Sequence, residues 1–386
     1  CMLLPGPEAQ QLAVYIGWLM HRTWGGIVAG TLFVLPSIFI LLLLSWIYLA
    51  FGHITAVAGV LYGIKPAVTA VVLFAAYRIG SRALKNSVLI AIAIAAFVAL
   101  YGFNLPFPVI IFLAGLFGAV YSRYSPQTFH IASAHAASGI AHEPALIDDD
   151  TPTPMHALFS WKKFVHVAMV GTLIWIILML LLIALFGKQS VLTHMAWFFT
   201  KAALLTFGGA YAVLPYVVQG GVIEHQWLTA AQMIDGLALG ETTPGPLIMV
   251  VTFVGFVGGW TKPVFGPDAL FASAFIAASI VTLFTFLPSF IFIFLGGPFI
   301  ETTHGNLKFT APLSAITAAV VGVIVNLALF FAWHVFWPKG SAASPDWFSI
   351  ALCAAACIAL FRFKANVIMV IGLCAMAGLA FTFLRA

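Results

Sequence analysis

Long apolar runs separated by short polar breaks set the pattern of this chain. The stretches 24–50, 88–122, 167–187, 242–260, 269–300, 309–338 and 365–384 carry few charges. Each approaches or exceeds the roughly 20 residues that a helix needs to cross a bilayer. None alternates apolar and polar positions at a period of two, as an outer-membrane barrel does, so helices must satisfy the backbone internally. The pattern predicts an all-α polytopic membrane protein. Spans are expected at about 3–20, 25–50, 57–80, 86–102 and 106–122, then a linking helix at 164–187, then 194–218, 231–258, 269–298, 311–337, 347–361 and 366–384.

The runs repeat. Pro5-Gly6-Pro7 and Pro244-Gly245-Pro246 are each followed by an aromatic and glycine pair, "YIGW" at 15–18 and "FVGF" at 253–256. "FVLPS" at 33–37 answers "TFLPS" at 285–289 with an offset of 252, and the same offset lays "GIKPAVTAVV" (63–72) on "AITAAVVGVI" (315–324). The chain therefore divides into an N-terminal repeat, 1–122, a linker with its connecting transmembrane helix, 123–192, and a C-terminal repeat, 193–386. About 50 residues precede the triplet in the second repeat and four precede it in the first, so the first repeat is expected to lack an opening helix. In the first repeat, Arg22 and the group Arg78, Arg82 and Lys85 mark one side as cytoplasmic. One linking helix between two six-helix repeats would set the second upside down, the inverted arrangement of alternating-access transporters.

Composition narrows the class. Hydrophobic residues make up 63% and charged residues 7%, far from the roughly one-quarter charged fraction of soluble domains. In that setting a net charge of +5 reflects loop bias and gives no argument for nucleic acid. Cys1, Cys353, Cys357 and Cys374 form neither a disulfide framework nor a metal spacing. The polar stretch 123–160, with His130, His135, His142 and the acidic 148–150, reads as a disordered cytoplasmic connector. Regulatory metal binding by its histidines is the lesser alternative.

The candidate chemistry gathers at the triplets. Thr243 before Pro244 is a reasonable N-cap and proline suits a first helical position, so "TTPGP" should end one half-helix and start another. The freed N–H groups and positive dipole ends would attract an anion near the midplane. Lys201 is a candidate cationic ligand, Glu241 and Asp235 candidate proton carriers, and Glu8 and Gln10 extend the first triplet. Pro36-Ser37 and Pro288-Ser289 read as kinks repaired by serine, and Gly26, Gly30, Gly255 and Gly259 as helix-packing contacts. No catalytic constellation, metal site, dinucleotide fingerprint or haem motif is present, so neither an intramembrane reductase nor a resident cofactor is expected.

The segments "LLPGPEAQQLAVYIGWLMH" with "GGIVAGTLFVLPS", and "TFGGAYAVLPYV" with "WLTAAQMIDGLALGETTPGPLIMVVTFVGFVGG", closely resemble the two halves of chromate ion transporters in their long two-domain form. The resemblance covers essentially the whole chain. It implies a multi-pass bacterial inner-membrane protein that exports chromate and confers resistance. It carries the family motifs onto Pro5, Gly6, Pro7, Glu8 and Gln10, and onto Gly208, Gly209, Tyr211, Pro215, Glu241, Pro244, Gly245 and Pro246. The departure is the first-half segment that normally holds a Gly-Gly-Pro motif. Partners expected are chromate or a related oxyanion and the lipid bilayer, with a homodimer left open. Transport of sulfate or another oxyanion, and a non-transporting subunit, are the alternatives.

Overall fold

The computed structural model describes residues 4–125, 154–207, 209–302, 310–340 and 343–385. The chain is all-α: among the described residues there are thirteen α-helices and no strand. Seven helical segments among the described residues are long and apolar enough to cross a membrane: Glu8–Phe51 (α1), Thr55–Ala83 (α2), Phe107–Tyr124 (α4), Trp161–Phe186 (α5), Pro267–Glu301, Ala311–Phe336 and Val367–Arg385 (α13). Pro267–Glu301 joins a short 3₁₀ turn to α10 (Leu270–Thr302), and Ala311–Phe336 lies within α11 (Thr310–Phe336). Shorter apolar helices fill the rest: α3 (Ser87–Phe103), α6 (Val191–Leu204), α7 (Ala210–Val218), α8 (Ala230–Thr242), α9 (Val250–Thr261) and α12 (Trp347–Phe361).

Polar residues appear where helices start. The Asn86 side chain accepts from Leu89 N at 2.9 Å to open α3, and Asp346 accepts from Ser349 N at 3.2 Å to open α12. Thr229 and Gln232 form a reciprocal capping box on α8. The linker histidines, the acidic 148–150 and Cys1 lie outside the described residues. Cys353, Cys357 and Cys374 are free thiols.

Each half contains a tight helical hairpin. α1 is broken at His21 (φ −133°) and Arg22 (φ +56°), so its two arms run back on each other. Gly17 and Gly25 meet at this crossing, where a Cβ on either would overlap the other's carbonyl oxygen. The second half repeats the device with α9 and α10, where Gly255 faces Ala278 and Gly259 faces Ala277. Backbones approach closely because both crossings are built from small residues. Arg22 sits exposed at the hairpin turn.

The halves cross over one another. α2 packs on α11 at the centre, α12 and α13 of the second half pack on α2, and α3 and α4 of the first half pack on α11. Glycines again allow the contact: a Cβ at Gly63 of α2 would strike the Cys374 carbonyl of α13, and one at Gly322 of α11 the Ala93 carbonyl of α3. The Tyr62 hydroxyl donates to Asp346 Oδ2 at 2.6 Å, tying α2 to the start of α12.

Two expected spans differ from expectation. The stretch 194–218 is split into α6 and α7, because Gly209 takes φ +98° and α6 closes at Leu205. The stretch 231–258 is split into α8, a 3₁₀ turn at Leu247–Met249 and α9, which is the break anticipated at the triplet.

Candidate functional site

Both Pro-Gly-Pro triplets leave the helical path at their glycine. Gly6 has φ +137° and Gly245 φ +127°, a region that L side chains rarely adopt. α1 then begins at Glu8 with Pro7 as an N-cap that offers no side-chain acceptor, and the 3₁₀ turn begins at Leu247 after Pro246 in the same role. A third helix start, Gly209 before α7, lies close by, since Gly6 N donates to the Thr206 carbonyl at 2.8 Å in the α6–α7 break. The 3₁₀ turn packs on both α7 and α1. Three helix N-termini, each with first-turn N–H groups that lack an intrahelical acceptor, are therefore gathered in one region.

Two local expectations change. The Gly6 N–H is not free, being used on Thr206. Thr243 does not cap the following helix: it closes α8, with its hydroxyl donating to the Leu239 carbonyl at 2.7 Å. The extended Pro246 carries the next helix start three residues further on, out of reach of that hydroxyl.

The serines read as kink repairs do something else. Ser37, on the second arm of α1, donates from its hydroxyl to the Pro244 carbonyl in the opposite half. Ser289 on α10 donates to Gln10 Oε1 of the first half at 2.7 Å. A Cβ on Gly245 would overlap Ser37 Oγ, and one on Gly6 would reach Ser289 Oγ and Gln11 Nε2. Each triplet is thus held by the Pro-Ser step of the other half.

The two triplets differ in exposure. Gly6 and Pro7 are buried under the α6–α7 break, whereas Pro244 and Gly245 are exposed. Near Gly6, Gln11 Nε2 donates to the Pro5 carbonyl at 2.8 Å. Gln10 Nε2 and Gln11 Oε1, on fully buried side chains, have no hydrogen-bond partner among the described residues. A buried amide left with a free donor is unfavourable unless a ligand or water supplies the acceptor.

Beside the second triplet, the Tyr211 hydroxyl of α7 donates to Glu241 Oε1 of α8. Six residues earlier on α8, Asp235 is 2% exposed and forms an ion pair with Lys65 of α2 at 3.5 Å. The Tyr48 hydroxyl of α1 donates to the same Asp235 oxygen, Oδ2, at 2.9 Å, and Oδ1 has no partner among the described residues.

Of the residues singled out from sequence, Pro5, Gly6, Pro7, Glu8 and Gln10 are brought together with the α6–α7 break, and Tyr211, Glu241, Thr243, Pro244, Gly245 and Pro246 form the adjoining wall. Gly208 lies outside the described residues. Pro215 lies buried inside α7. Lys201 is exposed in the last turn of α6, four residues before Leu205. Among the described residues, no hydrogen bond or ion pair joins it to either triplet. Ser37, Ser289, Gln11, Tyr48 and Lys65 were not singled out as site residues. Lys65 had a signal, as a lone cation inside an apolar span beside Pro66. The described residues hold no cluster of metal ligands.

Comparison with known proteins identifies the ensemble. Residues 1–119 and 193–379 match the chromate transporter family. A chromate transport protein of Pseudomonas aeruginosa is 31% identical over 97% of this chain and 80% of its own length. One from Cupriavidus metallidurans is 28% identical over 86% of this chain and 70% of its own. A probable chromate transport protein of Synechococcus elongatus is 24% identical over 83% and 70%. No solved structure matches. With both helix-break segments inside the matched ranges, this multi-pass membrane protein belongs to the chromate transporter family.

Proposed function

We propose that the chain is a secondary transporter exporting chromate across the bacterial inner membrane, binding the oxyanion at the paired Pro-Gly-Pro breaks. The observation that carries this reading is the buried Gln10 Nε2 donor, without an acceptor among the described residues, beside three converging helix starts. Backbone N–H groups and an amide donor suit a tetrahedral dianion, and the dipole ends supply positive potential without buried cations. Glu8 and Tyr211, in the first turns of α1 and α7, stand beside these donors, and Lys201, a turn before the α6–α7 break, offsets part of the ligand's charge.

The two repeats, 1–122 and 193–386, enter the bilayer in opposite senses on either side of the 123–192 linker, and the site alternates between the two faces. A membrane potential negative inside favours exit of a dianion by about 4.6 kcal/mol per 100 mV, so no nucleotide hydrolysis is required. Glu241, and Asp235 beyond it, carry any coupled proton.

Sulfate is the second reading. It is favoured by the donor set itself, because N–H groups read charge and tetrahedral shape and are indifferent to the central atom.

The test is uptake of labelled chromate and labelled sulfate into everted membrane vesicles, with the unsubstituted chain and the Lys201→Ala variant. Chromate accumulation that competes weakly with sulfate supports the first reading, and the reverse order supports the second. Wild-type uptake by Lys201→Ala removes that residue from the site. No accumulation of either ion by correctly inserted protein overturns both readings.

A further inference from the structure

The ion pair between Lys65 and Asp235 is built unevenly. Asp235 is buried and receives both Lys65 and Tyr48 on one oxygen, leaving Oδ1 without a partner among the described residues. The Lys65 side chain is 29% exposed, and its ammonium stands 3.5 Å from the carboxylate, longer than a tight charge-assisted hydrogen bond. An ammonium has three donors. Among the described residues, Asp235 is the single hydrogen-bond or ion-pair partner of this one. It is a cation with spare donors and an accessible side, anchored to a carboxylate that is itself incompletely satisfied.

Its position matters. Asp235 and Glu241 lie six residues apart on α8, about 9 Å along the axis, and Glu241 is bonded to Tyr211 at the start of α7. Lys65 lies inside α2, and the Arg78 and Arg82 side chains are exposed toward the end of the same helix. The α2–α8 contact therefore sets a cation of the first half against a carboxylate of the second.

Resting on the transport reading above, we propose that Lys65 is a second oxyanion-binding residue, and that the Asp235 carboxylate occupies it as a built-in substitute for the anion. An arriving oxyanion displaces Asp235 from the Lys65 ammonium. The released carboxylate keeps only Tyr48, and burying it without its counter-charge is unfavourable. That penalty makes the stay at Lys65 brief and returns the pair once the anion leaves, which suits a transit station better than a tight trap.

The experiment measures equilibrium binding of labelled chromate and sulfate to purified protein in detergent, and uptake kinetics in proteoliposomes, for the unsubstituted chain, Lys65→Gln, Lys65→Arg, Asp235→Asn and the double variant. Lys65→Gln is expected to weaken binding of both anions roughly tenfold or more, with Lys65→Arg recovering most of it. Asp235→Asn, which removes the competitor, should instead tighten binding and lower the KM and the maximal rate together. A bridge that only holds α2 to α8 gives another pattern: Lys65→Gln and Asp235→Asn would then be impaired alike. That result, or wild-type binding and uptake by a folded Lys65→Gln protein, overturns the proposal while leaving the triplet site standing. Absence of oxyanion binding by the unsubstituted chain overturns the transport reading and this proposal with it.

Discussion

The Ser37 hydroxyl bonds the Pro244 carbonyl across 207 residues of sequence, fastening a first-half helix to the second-half break. Ser289 acts on Gln10 in the reciprocal sense. Ser37→Ala and Ser289→Ala should each destabilise the protein by about 0.5–1.5 kcal/mol, the range for one intramolecular hydrogen bond. Thermal unfolding in detergent reads this directly. The two losses should add to within about 0.5 kcal/mol if the bonds act independently, and a larger combined effect would show that the breaks are coupled.

Substitution at the triplet glycines should be more damaging. Gly6→Ala and Gly245→Ala force an alanine into a left-handed conformation and drive its Cβ toward a serine hydroxyl. Backbone strain of about 1–3 kcal/mol is expected at each. Transport should fall severely while membrane insertion persists. Adding Ser37→Ala to Gly245→Ala should recover little, because the overlap is removed and the backbone strain stays. Substantial rescue would make the overlap the dominant cause.

Glu241→Gln keeps an acceptor for Tyr211 and removes the exchangeable carboxylate. If Glu241 carries a proton through the cycle, uptake by this variant should persist at a reduced rate and lose the pH dependence of the unsubstituted chain. Flux that retains the original pH profile excludes Glu241 as the carrier.

His225, in the turn before α8, stacks on Trp227 at 4.6 Å between ring centroids. Burial holds its imidazole below the usual histidine range, with the Lys201 and Lys262 charges acting in the same direction and Glu224 opposing. The unfolded chain therefore takes up a proton more readily than the folded one. Stability should be complete above about pH 6.5 and should decline as the pH falls through that value toward the lowered one. His225→Gln should flatten this decline in pH-dependent thermal unfolding.

Much of this architecture is legible in the sequence because hydrocarbon runs and helix breakers act locally. The duplicated triplets and the paired Leu-Pro-Ser steps identify the repeat and both breaks. What they leave open is which break meets which serine, since that depends on how the halves cross, a long-range property without a local signal. The α6–α7 break has a local signal in Gly208 and Gly209, which sit inside the apolar run, but the run is long enough to read as one span. Lys65 escaped notice for a different reason. Its counterpart under the 252 offset is Thr317, so a comparison of repeats favours the shared positions and passes over the one that differs.

The crossed packing of α3 and α4 on α11, and of α12 and α13 on α2, has a topological consequence. Neither half is a self-contained body. Folded alone, each would leave the long faces of its central helix bare, so a rigid-body motion cannot divide the molecule at the linker. Any units that move in the proposed cycle must instead be mosaics of both halves. The linker thus divides the halves in sequence while bounding no separate packed body in space, so cutting the chain there would yield two pieces that must find each other before either is buried.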